Sequence, residues 1–231
     1  MNVLIVGGSS DVGISLAKHL NDVGNNVIVT YNNHKKEVDN IEFIKCDIRE
    51  ENSIEDTIKY VINKYNKIDL LINMAAVYYD DEFINLPKDK FMEVLEVNLV
   101  GTFLVCQIYS KYINDGMVIN IGSTDGIDTF NEYNIFYAAS KAGLINMTKS
   151  ISLVTSNKVI CLCPNWLDSA STNEANSNYI KSELERIGQA RLITLDEFNW
   201  AIDKIINDKI DSGSIIRLDI KGDKLWIEKM Q

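Results

Sequence analysis

Tyr137 and Lys141 stand four residues apart in Tyr137-Ala138-Ala139-Ser140-Lys141, a spacing that sets both on one face of a helix about one turn apart. There the Lys141 ammonium can lie near the Tyr137 phenol and favour its phenolate. A free tyrosine titrates at about 10, so it needs such help to trade protons near neutral pH. Ser123 closes Ile119-Asn120-Ile121-Gly122-Ser123 at the carboxyl end of an apolar run, where doubly wound sheets place their ligands, and its hydroxyl can hold a substrate oxygen beside Tyr137. A proton carrier, a cation that tunes it and a hydroxyl that positions an oxygen suit proton transfer at a carbonyl or alcohol. A Tyr and a Lys at this spacing also occur as an ordinary surface pair beside a turn serine, so the rest of the chain decides between the two. Asn98, in Val97-Asn98-Leu99-Val100-Gly101, is disfavoured inside an apolar helix unless some partner accepts its amide.

A second signal lies at the start of the chain. Val6-Gly7-Gly8-Ser9-Ser10-Asp11-Val12-Gly13 directly follows a strand-like run and opens a helix-like one. Glycines there let the backbone approach a pyrophosphate, which then rests on the free amides and positive end of the helix. Tight turns need glycine for their own geometry as well. Asp11 would repel a pyrophosphate unless its carboxylate turns away or caps the helix.

Positioning these groups requires a particular order of elements. Short β-branched runs at 2–6, 27–31, 42–45, 68–73, 118–121, 159–162 and 215–218 alternate with helical periodicity at about 12–23, 51–65, 88–113, 137–155 and 195–207. Several of the strand candidates are apolar without alternation, as strands covered on both faces must be. Thr194 and Glu197 stand in capping-box spacing, and Pro87 suits a first helical turn. The expected architecture is a single α/β domain over 1–231, a Rossmann-like doubly wound parallel sheet of about seven strands. The stretch 165–190, rich in Asn, Ser and Glu, is expected to be a mobile substrate loop or lid.

Taken together these residues resemble the short-chain dehydrogenase/reductase family, along almost the whole chain and most closely its bacterial 3-oxoacyl-carrier-protein reductase branch. The glycine turn is similar to that family's Thr-Gly-x-x-x-Gly-x-Gly loop, with Gly7 and Gly13 in place, Val6 for the Thr and Asp11 for the middle Gly. The resemblance implies cofactor contacts from Gly7, Ser9, Ser10, Val12 and Gly13, and from Tyr31 and Asn32 at the end of the second strand. It also implies an adenine-binding acid in Cys46-Asp47-Ile48, and a cofactor-facing turn in Asn73-Met74-Ala75-Ala76, where Asn73 has an equal reading as a turn residue bonding its own backbone. A nicotinamide cradle falls in Cys163-Pro164-Asn165-Trp166-Leu167-Asp168-Ser169, through Pro164, Leu167 and Ser169, with Asn165 where the family has Gly. Asn98, Ser123, Tyr137 and Lys141 match the family's catalytic tetrad. The implied roles are proton transfer by Tyr137, tuning of Tyr137 and ribose binding by Lys141, carbonyl positioning by Ser123, and a water-linked proton path behind Lys141 supported by Asn98. Trp166, Tyr133, Phe136 and Tyr179 divide between pocket lining and ordinary packing.

The second strand ends Thr30-Tyr31-Asn32-Asn33 with no acid to take ribose hydroxyls, so NADP(H) is favoured over NAD(H); Lys35 and Lys36 beyond it read equally as phosphate partners or as solvated loop charges, with no arginine beside them. The resulting expectation is an NAD(P)(H)-dependent carbonyl reductase or alcohol dehydrogenase, with 3-oxoacyl reduction as one candidate activity and a sugar, polyol or other secondary alcohol as the runner-up substrate. A nicotinamide-binding regulatory protein has no need of the full Ser, Tyr, Lys and Asn set, and an enoyl reductase usually sets Tyr and Lys further apart. A net charge of -10 argues against nucleic acid and anionic membranes as partners, and disfavours an acidic acyl carrier protein. Where carrier-dependent relatives tend to place arginines, Asn114-Asp115-Gly116-Met117 and Ser156-Asn157-Lys158 offer only Lys158. No apolar run approaching a membrane span is evident, and Met1 leads directly into a strand, so a cytoplasmic location is expected. Cys46, Cys106, Cys161 and Cys163 read as buried reduced thiols, no metal is expected with only His19 and His34 present, and the resemblance implies a homodimer or homotetramer.

Overall fold

Along the first strand Val3 and Ile5 turn to one face of the sheet, Leu4 and Val6 to the other, and both faces are covered. That is why the run shows no polar alternation. The computed structural model describes residues 1–230. The chain runs β1 (Asn2–Val6), α1 (Asp11–Asp22), β2 (Asn26–Tyr31), β3 (Glu42–Lys45), α2 (Glu51–Tyr65), β4 (Leu70–Asn73), α3 (Lys88–Leu95), a π turn (Glu96–Gly101), α4 (Thr102–Tyr112), β5 (Met117–Ile121), α5 (Ile135–Ile151), β6 (Lys158–Pro164), α6 (Ala170–Glu174), α7 (Ser177–Ile187), α8 (Leu195–Asn207), β7 (Ile215–Lys221) and β8 (Lys224–Met230). Short 3-10 turns lie at Phe83–Asn85 and Thr124–Gly126.

The described residues form one sheet in the order β3-β2-β1-β4-β5-β6-β7-β8, parallel except for the last pair. Strand order reverses between β1 and β4, which pair with Val6 opposite Asn73, and the crevice at their carboxyl ends is where such a sheet can take a ligand. On one face Leu16 and Leu20 of α1 and Phe198, Ile202 and Ile205 of α8 pack with Val3, Ile5, Val29, Ile72 and Ile119. On the other, Ile54, Ile58 and Val61 of α2 and Val105, Ile108 and Tyr109 of α4 pack with Leu4, Val6, Leu71 and Val118. The expected capping box forms: Thr194 Oγ1 accepts from the Glu197 N–H, and the Glu197 carboxylate accepts from the Thr194 N–H at 3.0 Å. Pro87 sits one residue before α3 rather than inside its first turn.

Four expectations need correction. The sheet has eight strands rather than about seven, because β8 folds back on β7 through a tight turn at Gly222, whose φ of 59° suits glycine. The helix expected over 88–113 runs unbroken from Lys88 to Tyr112 but widens into a π turn around Asn98, and the one expected over 137–155 begins at Ile135 and ends at Ile151. The stretch 165–190 holds two helices, α6 and α7, rather than irregular chain. Lastly, Lys88–Tyr112 form a continuous helical run of 25 residues with an 18-residue window of mean hydropathy 1.5, long and apolar enough to cross a membrane by length and composition. This run packs against α2 and α5, and 39% of that window is buried within the protein.

Candidate active site

Ser123 leaves β5 fully extended and caps the 3-10 turn that follows, its Oγ accepting the Asp125 N–H at 3.1 Å. Gly122 before it has no room for a side chain, since a Cβ would lie 2.6 Å from Cys163 Sγ on β6. One turn apart on α5, Tyr137 and Lys141 face the same end of the sheet, with Lys141 Nζ 5.2 Å from the Tyr137 ring centre. The Ser123 hydroxyl reaches the Tyr137 phenol. Lys141 is buried and donates to the Ile121 carbonyl at 2.6 Å. The partner that Asn98 requires is found on two elements. Its Oδ1 accepts from the Val77 N–H at 2.8 Å, and its Nδ2 donates to Val77 O at 2.9 Å and Ser140 Oγ at 3.0 Å. Asn98 thus ties the loop after β4 to α5. The tetrad residues, far apart in sequence, meet at the carboxyl ends of β4 and β5.

The electrostatics differ from the expectation in one respect. Burial and the nearby Asp125 carboxylate push the Tyr137 phenol well above its ordinary value, with the Ser123 hydrogen bond opposing them. Burial lowers Lys141 to about 8, and its ammonium is directed to the Ile121 carbonyl instead of the phenol oxygen. Tyr137 is therefore held as a neutral phenol, ready to give a proton rather than to take one.

The residues expected to hold a dinucleotide gather at the β1/β4 crevice. Gly7 adopts φ 75° and donates its N–H to Thr30 Oγ1 at 2.9 Å; a Cβ there would lie 2.4 Å from Ala75. Gly13 presses on Gly8 so closely that a Cβ would sit 2.5 Å from its backbone. Ser10 caps α1, accepting from the Gly13 N–H at 3.3 Å, while Ser9 is half-buried in the turn and Val12 packs on the core below. This cradle of glycines at a helix start fits a pyrophosphate. Asp11 turns away from that start and accepts the Ala170 N–H at 2.6 Å, linking the glycine loop to the first turn of α6.

At the ends of β2 and β3, the Tyr31 carbonyl accepts the Cys46 N–H, and Asn32 Nδ2 donates to Asp47 at 3.3 Å. Ile48 is buried against Gly101 of the π turn. The Asn73 side chain does not bond its own backbone as a turn residue would. Its Nδ2 donates to Asn120 Oδ1 at 2.9 Å across the β4/β5 pair, and its side chain is buried. Pro164 ends β6, Leu167 bridges to Ile193, and Ser169 caps α6 by accepting from the Thr172 N–H. Asn165 donates to Asp219 at 3.1 Å and accepts from the Trp166 N–H, holding the turn that a glycine would otherwise make. Phe136 stacks on Phe91 at 4.5 Å and is packing, whereas Trp166, Tyr179 and Tyr133 form an edge-to-face chain over the site.

Several residues escaped the sequence reading. Arg49, two positions after Asp47, grips its carboxylate at 2.5 and 2.9 Å and holds it at about 2. Its only sequence signal was a cation next to a designated acid. On α7, Glu183 and Arg186, neither of them singled out in the sequence, join the expected Tyr179 in one stripe that meets the 128–134 loop: Asn131 donates to Tyr179 Oη at 2.9 Å, and Arg186 reaches the Thr129 carbonyl at 3.4 Å. Asp125 sits under that stripe, and burial with the Glu183 charge raises it to about 6.

The family model described as "short chain dehydrogenase" matches residues 1–180. The chain is 28% identical over 230 residues to the 3-oxoacyl-[acyl-carrier-protein] reductase MabA of Mycobacterium avium, covering 94% of this chain and 88% of that protein. A crystal structure of a short chain dehydrogenase from Bacillus anthracis superposes with a TM-score of 0.84 at 25% identity, covering 94% of each chain. The fold also matches an actinorhodin polyketide ketoreductase crystallised with NADPH, with a TM-score of 0.80, 21% identity and 94% of each chain covered.

Proposed function

The chain belongs to the short-chain dehydrogenase family and is a nicotinamide-dependent oxidoreductase of carbonyl and alcohol groups, and from that premise we propose that it acts as an NADPH-dependent ketone reductase. The observation that carries this reading is the neutral Tyr137 phenol beside the Ser123 hydroxyl at the carboxyl end of β5. A reduced nicotinamide, when bound, supplies the hydride. Ser123 holds the carbonyl oxygen, and Tyr137 gives that oxygen the proton it needs as the carbon is reduced, so one ketone, one hydride and one proton become one secondary alcohol. Lys141, behind Tyr137, anchors the nicotinamide ribose and eases return of the proton. Asn98 fixes the Val77 backbone and α5 along the wall where a water-linked proton path runs.

Cofactor contacts come from Gly7, Ser9, Ser10, Val12 and Gly13 at the α1 start, Tyr31, Asn32, Asp47 and Ile48 at the adenosine end, Asn73 and Ala75 through their backbone, and Pro164, Leu167 and Ser169 beside the nicotinamide. Lys35 and Lys36, just beyond the end of β2, and the absence of an acid at Asn32 and Asn33 favour the phosphorylated cofactor. The ketoreductase of the same fold that was crystallised with NADPH is in keeping with that choice. The segment holding α6 and α7 is the cover that closes over substrate. MabA, by its name, reduces 3-oxoacyl groups, and a 3-oxoacyl-like ketone is one candidate substrate here. We place the enzyme in the cytoplasm as a homodimer or homotetramer, its exposed Val100, Phe103, Leu153 and Val154 being suited to subunit contacts. The test is a ketone panel followed by nicotinamide absorbance with the parent enzyme and Tyr137→Phe. The variant should bind NADPH as the parent does and lose turnover on the order of 10²–10⁴-fold. Turnover at the parent rate would remove the role assigned to Tyr137.

A further inference from the structure

Asp125 lies two residues beyond Ser123 on the same 3-10 turn, and its own N–H fixes the Ser123 hydroxyl at 3.1 Å. Among the described residues, no group donates a hydrogen bond to its carboxylate, although the residue is half-buried. The charges around it offer no replacement. Arg186, on the α7 stripe above, is held by both oxygens of Glu183 at 2.9 and 2.7 Å. Lys141 lies behind, on the Ile121 carbonyl. Asp80, from the loop after β4, faces the same space, and its carboxylate likewise accepts no hydrogen bond from a described residue. Asp125 is thus left without a protein donor beside the atoms that exchange the proton, with the charge of the exposed Asp80 close by, and Tyr133, Tyr179 and Trp166 stand edge to face with one another.

A partly desolvated carboxylate without a donor is costly, and such groups persist where a ligand completes them. A neutral hydroxyl could supply a hydrogen bond but would leave the charge of both acids uncompensated, and a carboxylate or phosphate would be repelled. An ammonium supplies both donor and charge, and aromatic side chains tolerate it well. We propose that Asp125 is the specificity-determining residue of this site and that the substrate is a small ketone or secondary alcohol bearing an ammonium group, which pairs with the Asp125 carboxylate. The inference rests on the reductase reading for its catalytic outcome, while the recognition itself can be tested without turnover.

Three small three-carbon ketones distinguish the possibilities: aminoacetone, hydroxyacetone and pyruvate, each reduced with NADPH. In the parent, kcat/KM should favour aminoacetone over hydroxyacetone by on the order of tenfold or more, the usual scale for a charge-assisted hydrogen bond, with pyruvate poorest. Asp125→Asn should abolish most of that advantage, Asp125→Glu should keep part of it, and Asp80→Asn should reduce it by a smaller factor. Preference for hydroxyacetone or pyruvate, or a ratio unchanged in Asp125→Asn, overturns the proposal. Calorimetric titration with 1-amino-2-propanol and 1,2-propanediol separates this from the reductase reading. If no ketone is reduced but the parent binds the amino alcohol preferentially and Asp125→Asn does not, the cation site stands and the reductase reading fails. Equal binding of the two alcohols by parent and variant overturns the cation site whatever the turnover.

Discussion

Asp11 occupies the first turn of α1, where the free N–H groups and the positive end of the helix stabilise its carboxylate. The same features make that helix start attractive to a pyrophosphate, so side chain and cofactor compete for one electrostatic niche. The bond to Ala170 holds the carboxylate to one side without removing its charge. Asp11→Asn should therefore tighten NADPH binding on the order of tenfold, read by titrating the cofactor's fluorescence. Weaker binding by the variant would show that the Ala170 link matters more than the repulsion. The same titration with NADH checks the cofactor choice, and tighter NADH binding by the parent would refute it. At this scale the sequence was legible where spacing itself encodes geometry: Tyr137 and Lys141 on one helix face, and Gly7 and Gly13 around one turn. Arg49 and Asp125 could not be found that way. Their importance comes from neighbours the fold supplies, Asp47 and Asn32 for one, Ser123 and the α7 stripe for the other. Asn73 illustrates the converse, a residue at a motif position whose side chain the structure uses to join β4 to β5.

Elements announced themselves in proportion to how completely they are buried. The strands β1, β4, β5 and β6 are covered on both faces, so their apolar runs stood out, and α8 was marked at its start by Thr194 and Glu197. By contrast β8 is an edge strand, with charged Lys224, Glu228 and Lys229 exposed, and its pattern blurs into loop composition. The helix α7 was hidden for a similar reason, being largely polar and buried only at Ile180. No local signal distinguishes a π turn from an α-helix, so the widening around Asn98 emerges only in three dimensions. The α8 cap allows a stability prediction with a definite pH dependence. Glu197 is held at about 2, first by the Arg191 guanidinium and then by the Thr194 N–H, against burial that opposes them. Because its folded value lies below its unfolded one, the stability it contributes is present above the unfolded value and is lost as pH falls toward 2. Glu197→Gln, which keeps the N3 cap but removes the charge paired with Arg191, should cost about 0.2–1 kcal/mol in urea unfolding at neutral pH. That difference should shrink as the parent carboxylate is protonated, and a cost independent of pH would place the effect in packing instead of charge.

The molecule as a whole carries a net charge of -10, and its sign is not diluted at the site mouth. Asp80, Asp81, Glu82 and Glu132 are exposed around the entrance, while Arg186 is neutralised by Glu183. An acyl carrier protein is strongly acidic, and it docks efficiently only where a basic patch steers it. Of the segments expected to supply such a patch, 114–117 contributes Asp115, whose carboxylate pairs with Lys67, and 156–158 contributes Lys158 alone. A free substrate pays no comparable penalty, since a small molecule enters without bringing a second negative surface against the first. The expected outcome is that one 3-oxoacyl group is reduced at least as efficiently on a small thiol as on carrier protein, judged by kcat/KM. Raising the salt should narrow any deficit of the carrier-bound form, because screening falls from about 10 Å at 0.1 M to about 3 Å at 1 M and weakens repulsion between the two acidic surfaces. A strong carrier preference at low salt that fades as salt is added would mean that attraction governs the encounter. It would require a basic docking face assembled between subunits, and it would make carrier-bound acyl groups the leading substrate.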